Sequence, residues 1–195
     1  MPGQAIFFDR DGVLNRLVMN PSTGEYESPH SLAELRLTEN LGALLRPLQG
    51  AGFSLFLVSN QPSAAKGKVS LETLKSIHAS LDEQLKGEGV VFQGAYYCYH
   101  HPDSLVPELK GPCACRKPSP FFVTRALAAY RLDPRASWMI GDQDSDIACG
   151  QAAGVRTILL EIPESAKKRG ASKPDQVFPG LEGALNFILN PRTTP

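Results

Sequence analysis

Near the start of the chain stands the segment Ala5-Ile6-Phe7-Phe8-Asp9-Arg10-Asp11-Gly12-Val13-Leu14-Asn15. Its apolar run predicts a short buried strand over residues 5–9, which would carry the first carboxylate to the end of a sheet. Gly12 lets the backbone turn, so that the second carboxylate faces the same point. Asp9 could then attack an electrophile while Asp11 handles a proton, and together they could hold a divalent cation. The same pattern is also a common turn, since Asp and Gly are ordinary turn residues.

The composition is that of one globular domain. The chain has 195 residues, 42% hydrophobic and 21% charged, which suits a single core with room for a small insertion. The 20 Lys and Arg residues balance the 20 Asp and Glu residues, so net charge favours neither nucleic acid nor a membrane surface. The sequence shows no basic leader and no apolar run of about 20 residues, and we expect a cytoplasmic protein.

Strand-like and helix-like segments alternate along the chain. The predicted strands cover residues 5–9, 53–58, 95–97, 137–140 and 157–160. The predicted helices cover a pattern from Leu41 to Leu48 limited by Pro47 and Gly50, residues 70–86, residues 118–130, and a segment ending at Ala153. This alternation predicts an α/β fold, a single Rossmann-like three-layer domain over residues 1–190 with a central parallel sheet. The tail, residues 191–195, is expected to be frayed.

Polar side chains fall at three of the predicted strand ends. In a parallel sheet these ends share one edge, where ligands bind, so Asp9, Ser59 and Asp142 are expected to meet there. Ser59-Asn60-Gln61 offers a hydroxyl and two amides that a phosphoryl group could accept hydrogen bonds from. Such residues also form turns and helix caps.

Two further charged segments fit the same site. Arg116 and Lys117 stand just before a predicted helix, where two adjacent cations can neutralise a phosphate, although such a pair is usually solvated. Asp142 could complete a site for a hard cation, and Asp146, four residues on, could brace it or pair with Lys117. Alternatively, these carboxylates merely favour a helix N-terminus electrostatically.

Three of the four cysteines cluster with histidine. Cys98-Tyr99-His100-His101-Pro102 and Cys113-Ala114-Cys115 supply three thiols and an imidazole, from His100 or His101, which is the donor set of a closed tetrahedral zinc site. A structural zinc ion would pin the proline-rich loop 98–115 and fix the residues behind its last ligand. Buried free cysteines are the alternative. Cys149 stands apart and is expected to pack in the core.

The chain resembles the haloacid dehalogenase superfamily of phosphatases in four elements that occur in the same order: Asp9 with Asp11, Ser59, Lys117, and Asp142 with Asp146. The resemblance runs from Asp9 to the strand near Leu160. It implies that Asp9 is the nucleophile that forms an aspartyl-phosphate and that Asp11 is the general acid and base. Ser59 and Lys117 would stabilise the transferring phosphoryl group. Mg²⁺ would be held by Asp9, the backbone carbonyl of Asp11, and Asp142.

A narrower resemblance is to the subfamily of heptose 1,7-bisphosphate 7-phosphatases and histidinol-phosphate phosphatases. It is carried by Asp9–Asn15, Tyr97–Pro102 and Cys113–Pro118. It implies that a large cap domain is lacking and that zinc is bound by Cys98, His100, Cys113 and Cys115. It further implies substrate contacts from Asn60, Gln61, Arg116 and Lys117.

The sequence departs from this subfamily at three places. Pro62-Ser63-Ala64-Ala65-Lys66-Gly67 replaces the usual Ser-Gly-Ile type sequence with an arginine before glycine, Gln143 stands where a basic residue is common, and the loop from Arg16 to His30 is long. These positions border the pocket rather than the reacting groups. The leading prediction is a magnesium-dependent phosphatase, monomeric, that removes the 7-phosphate of D-glycero-D-manno-heptose 1,7-bisphosphate. The alternatives are a histidinol-phosphate or other small phosphomonoester phosphatase, and a non-catalytic metal-binding interaction protein.

Overall fold

The computed structural model of the protein describes residues 2–190 and contains a central six-stranded sheet. Neighbouring strands in this sheet are parallel, in the order β5-β4-β1-β6-β7-β8. A separate antiparallel hairpin is formed by β2 and β3. The strands are β1 (Gln4–Phe8), β2 (Val18–Asn20), β3 (Glu25–Glu27), β4 (Phe53–Asn60), β5 (Gly94–Cys98), β6 (Trp138–Gly141), β7 (Arg156–Leu160) and β8 (Gln176–Phe178).

Helices cover both faces of the sheet. One hydrophobic core lies under α1 (Leu41–Gly50), α2 (Leu71–Gly87) and α5 (Leu181–Leu189), and a second lies under α3 (Phe121–Ala129) and α4 (Asp144–Ala152). The central strand β1 is apolar throughout because its alternate side chains enter both cores: Ile6 and Phe8 enter the first, Ala5 and Phe7 the second. The predicted three-layer α/β fold is confirmed.

Some boundaries differ from the prediction. Pro47 lies inside α1 and does not limit it, because Leu45 and Leu48 on either side are fully buried and their packing outweighs the hydrogen bond that proline cannot make. The helix predicted from Pro118 begins three residues later, at Phe121, with Pro120 at its N-cap. The β2–β3 hairpin, β8 and α5 had not been predicted as elements.

The remaining expectations about the whole chain have different outcomes. Among residues 2–190, no helix combines the length and apolarity that crossing a membrane would require. Residues 191–195, expected to be frayed, lie outside the described residues. The assignment of residues 1–190 to a single domain stays a prediction.

Candidate active site

A buried lysine connects the two sides of the site. Asp9 follows β1 directly, and Lys117 precedes α3 across the sheet edge. Lys117 Nζ donates hydrogen bonds to Asp9 Oδ1 at 2.8 Å, to Asp146 Oδ1 at 2.7 Å and to the Val58 carbonyl at 2.7 Å. Burial opposes the charged form of Lys117, but the Asp146 and Asp9 carboxylates outweigh it and raise the pKa of the ammonium above its usual value. The lysine therefore stays charged beside Asp9.

Three carboxylates converge next to this lysine. Asp9, Asp142 and Asp146 each place an oxygen within 4.8 Å of the others. Asp142 is fully buried, and neither of its carboxylate oxygens has a hydrogen-bond partner among residues 2–190. Burial and the neighbouring charges of Asp9 and Asp146 raise the pKa of Asp142 well above its usual value. Buried unpartnered oxygens facing like charges are the donor set that a hard divalent cation satisfies.

The start of α4 fixes Asp146 in this cluster. Asp146 Oδ2 accepts a hydrogen bond from the Gln143 backbone N–H at 3.0 Å, as part of a capping box. Burial raises the pKa of Asp146 to about 6, with Asp9 adding to the effect and Lys117 opposing it. Gly141 permits the close approach of the strand to this side chain, since a Cβ there would lie 2.2 Å from Asp146 Cβ.

Asp11 lies in a dense hydrogen-bond network. Its Oδ1 accepts from Arg10 Nε at 3.1 Å, Arg10 Nη2 at 3.0 Å and Asn15 Nδ2 at 2.9 Å. Its Oδ2 accepts from Gln61 Nε2 at 2.6 Å and from Ser28 Oγ at 2.9 Å. Burial opposes ionisation, but Arg10, Asn15 and Gln61 outweigh it, so the pKa of Asp11 lies below its usual value. The carboxylate is held in one orientation.

The end of β4 and Gln61, which follows it, support the site from behind. Gln61 Nε2 also donates to Ser59 Oγ at 3.0 Å, so one amide bridges Ser59 and Asp11. Gln61 is fully buried and does not line the cavity. Asn60 lines the cavity and clamps the backbone of Lys117 with two hydrogen bonds of 3.0 Å, to its N–H and to its carbonyl.

A cavity of about 510 Å³ lies over the site, and its lining includes Asp9, Asp11, Asn60, Lys117 and Asp146. Its rim is rich in charge, with the cations Lys66, Lys68, Arg116 and Lys168 and the hairpin carboxylates Glu25 and Glu27. Glu27 pairs with Lys68 at 2.6 Å, and Glu25 pairs with Lys167 at 2.7 Å. Within residues 2–190, the other three rim cations form no ion pair with a carboxylate. Burial, followed by the charges of Lys68 and Arg116, lowers the pKa of Lys66.

The cysteine cluster forms beside β5. Cys98 Sγ lies 3.6 Å from Cys113 Sγ and 3.2 Å from Cys115 Sγ, and His100 Nδ1 lies 3.5 Å from Cys115 Sγ. Four ligands at zinc, with Zn–S bonds of about 2.3 Å, would have sulfurs about 3.8 Å apart, so the spacing fits one metal ion. His101 Nδ1 instead accepts the Asp103 backbone N–H at 3.1 Å, which favours His100 as the fourth ligand.

The predicted site residues are thus brought together at one sheet edge. Arg10, which is fully buried, and Ser28, which follows β3, had not been predicted as functional. Arg10 stands between the two carboxylates directly after an apolar strand, and this position was the available signal. Ser28 gave no signal, because its contact with Asp11 spans 17 residues.

Sequence comparisons agree with this geometry. The model of the HAD-hydrolase-like family matches residues 114–184. The D-glycero-beta-D-manno-heptose-1,7-bisphosphate 7-phosphatase of Haemophilus ducreyi is 31% identical over 190 residues, which cover 96% of this chain and 100% of that protein. The chain belongs to the haloacid dehalogenase-like (HAD-like) phosphatases. As a member of this family it is a phosphomonoester hydrolase.

Two further comparisons agree with this family assignment. The D-glycero-alpha-D-manno-heptose-1,7-bisphosphate 7-phosphatase of Photorhabdus laumondii is 32% identical over 154 residues, covering 79% of this chain and 80% of that one. The crystal structure of the D,D-heptose 1,7-bisphosphate phosphatase from B. bronchiseptica, complexed with magnesium and phosphate, superposes with a TM-score of 0.79. It is 24% identical and covers 97% of this chain and 99% of its own, which confirms the HAD-like fold.

Proposed function

We propose that this HAD-like phosphatase removes the 7-phosphate from D-glycero-D-manno-heptose 1,7-bisphosphate through an aspartyl-phosphate on Asp9. The observation that carries the proposal is the pairing of Asp9 with Lys117 on the floor of a cation-rimmed cavity. The names of the curated relatives give the substrate class. The protein would act in the cytoplasm as a monomer on this small phosphorylated sugar.

The reaction follows from the positions of Asp9, Asp11 and Lys117. Asp9 attacks phosphorus, a bond forms from its carboxylate oxygen, and the bond from phosphorus to the sugar oxygen breaks. Asp11 gives a proton to that departing oxygen and later takes one from the water that hydrolyses the aspartyl-phosphate. Lys117 and Ser59 offset the charge on the equatorial phosphoryl oxygens.

Magnesium fits the carboxylate cluster. Asp9 and Asp142, together with the Asp11 backbone carbonyl, would hold the ion, and Asp146 would support it through Lys117. When bound, Mg²⁺ offsets the repulsion between an anionic nucleophile and an anionic phosphate. The unpartnered oxygens of buried Asp142 are the feature of this chain that supports the assignment.

The cavity rim favours a bisphosphate over a substrate that carries a cationic group. The hairpin carboxylates are already paired with Lys68 and Lys167. Lys66, Arg116 and Lys168 are therefore available for a second anionic group beyond the reacting phosphate. Histidinol phosphate carries an amine that would face these cations, which makes it the weaker candidate.

Zinc is proposed as a structural ion. Cys98, His100, Cys113 and Cys115 would fill all four tetrahedral positions and leave none for a water molecule. The ion would pin the 98–115 loop. In the described stretch between β5 and α3, this loop contains one regular element, the short 3₁₀ helix Pro107–Leu109. Arg116 and Lys117 follow the last ligand directly, so the ion would also fix the phosphate-binding cations.

A substrate panel tests the proposed function. Purified protein with Mg²⁺ is assayed for phosphate release from both anomers of the heptose bisphosphate, from histidinol phosphate and from simple phosphomonoesters. We expect the highest kcat/KM for one anomer of the bisphosphate. A higher value for histidinol phosphate would transfer the proposal to that substrate, and absence of turnover on the whole panel would favour a non-catalytic metal-binding protein.

A further inference from the structure

One partner of Asp11 differs from the others in its position. Arg10, Asn15 and Gln61 are fully buried around the carboxylate. Ser28, which follows β3, donates to Asp11 Oδ2 at 2.9 Å and also lines the cavity. Of these four side chains, Ser28 is the one that lines the cavity, as Asp11 does.

Ser28 also differs in its chemistry. The guanidinium nitrogens of Arg10 and the amide nitrogens of Asn15 and Gln61 can only donate hydrogen bonds. A hydroxyl can donate to a carboxylate and can equally accept from a protonated carboxyl group. Of the two side chains bonded to Asp11 Oδ2, Ser28 is therefore the one that can stay bonded to this oxygen with or without the proton and without turning an amide group.

The hairpin holds this hydroxyl in place from both sides. Before it, Glu27 is tied to Lys68 at 2.6 Å and accepts from Asn20 Nδ2 at 3.2 Å. After it, the His30 ring lies within hydrogen-bond distance, 3.0 Å, of Ser63 Oγ. Fixing the backbone on both sides reduces the freedom of the Ser28 side chain to leave Asp11.

We propose that Ser28 is a positioning residue that keeps Asp11 aimed at the departing oxygen in the first half-reaction and at the attacking water in the second. This inference rests on the proposed function, in which Asp11 is the general acid and base. Ser28 Oγ bonds Asp11 Oδ2 at 2.9 Å, so the carboxyl group keeps one orientation while its proton passes to the sugar oxygen. The same contact holds the resulting carboxylate in that orientation when it takes a proton from water.

A leaving-group series separates this proposal from a purely structural contact. kcat/KM is measured for wild type, Ser28→Ala and Ser28→Thr on an alkyl phosphate and on aryl phosphates whose leaving groups differ in basicity. Loss of Ser28 should matter most where the departing oxygen needs a proton. We expect Ser28→Ala to lower kcat/KM roughly tenfold on the alkyl phosphate and only slightly on p-nitrophenyl phosphate. A tenfold loss is a fraction of what an acid catalyst contributes in total.

The controls make each outcome decisive. Ser28→Thr keeps the hydroxyl and should restore the wild-type dependence on the leaving group, while Ser31→Ala, at the N-cap of the next 3₁₀ helix, should not alter it. Equal losses on every ester, no loss on any, or failure of Ser28→Thr to restore the dependence would overturn the proposal. Wild type inert towards every ester would overturn the proposed function as well, which distinguishes the two failures.

Discussion

Gly12 packs so closely against Asp142 that a Cβ at position 12 would lie 2.5 Å from Asp142 Oδ2. Gly12 also has a positive φ of +85°, which L side chains rarely adopt. The glycine of the first motif is thus required by a carboxylate 130 residues further along the chain. Its contact keeps the proposed cation ligand in position.

Replacing Gly12 tests this contact. Gly12→Ala should displace the Asp142 carboxylate, lower kcat/KM at least about 100-fold and raise the Mg²⁺ concentration needed for half-maximal activity. Gly52→Ala is a matched control, because Gly52 has the same φ of +85° but an added Cβ would have its nearest contact outside the adjacent residues at 4.0 Å, with Gln4 Nε2. We expect Gly52→Ala to cost about 1 kcal/mol of stability through strain and to keep its activity. Equal activities for the two variants would show that activity does not depend on the close contact between Gly12 and Asp142.

Asp142→Asn should stabilise the metal-free protein while it abolishes activity. The pKa of Asp142 is raised in the folded state, so the wild-type carboxylate costs stability as pH rises above its unfolded value of about 3.9. Removing the charge should add about 1–3 kcal/mol to the free energy of unfolding at neutral pH in chelator, and almost nothing near pH 3. Urea unfolding at the two pH values measures both quantities.

Adding Mg²⁺ should make wild type more stable than Asp142→Asn, the opposite of the order expected in chelator. Wild type should gain stability on adding Mg²⁺, since ligand binding to the folded state shifts unfolding, whereas Asp142→Asn should gain little. Asp82→Asn, which removes a surface carboxylate paired with Lys86, should respond to Mg²⁺ like wild type. If the metal-free Asp142→Asn variant is less stable than wild type at neutral pH, the charge of Asp142 does not destabilise the metal-free fold, which would contradict this prediction.

Lys66 should discriminate between a bisphosphate and a monophosphate. Lys66→Met should raise KM for the heptose bisphosphate at least about tenfold, since a charge-assisted contact with the second phosphate is lost, and should affect heptose 7-phosphate less. Lys75→Met, an exposed lysine on α2, serves as the control. Equal effects of Lys66→Met on both substrates would remove Lys66 from the recognition of the second phosphate.

Zinc content tests the cysteine cluster. Protein purified without chelator should contain one zinc ion per chain, and Cys113→Ser should lose it together with part of kcat/KM, because Lys117 follows the loop. Cys149→Ala is the control: Cys149 is fully buried in the second core, and burial raises the pKa of its thiol to about 12. Zinc retained in Cys113→Ser, or absent from wild type, would contradict the four-ligand site.

The sequence predicted what depends on local pattern. Apolar strands such as β1 are recognisable because both faces are buried, and strand ends in a parallel sheet share an edge, which brings Asp9 and Asp142 together. Pairing with Lys117 was one of the two roles that the sequence offered for Asp146, and the structure contains this pair.

What the sequence did not predict depends on long-range packing. The Ser28–Asp11 contact requires the hairpin to fold back over the sheet edge, and β2 and β3 are too short to show a period. Gln61 was predicted to contact substrate, and this stays a prediction; the structure places its amide behind the cavity, between Ser59 and Asp11. Whether a side chain at the end of β4 points into the cavity or away from it depends on its hydrogen-bond partners. The spacing of residues in the sequence does not show these partners.

The most direct test of the account is to trap phosphate on Asp9. Wild type is mixed with the heptose bisphosphate, quenched in acid during turnover and treated with borohydride, which reduces an acyl phosphate to an alcohol. The account predicts homoserine at position 9 in the digested wild-type protein, and neither this product nor turnover in Asp9→Asn. Full turnover by Asp9→Asn, or homoserine at a position other than 9, would contradict it.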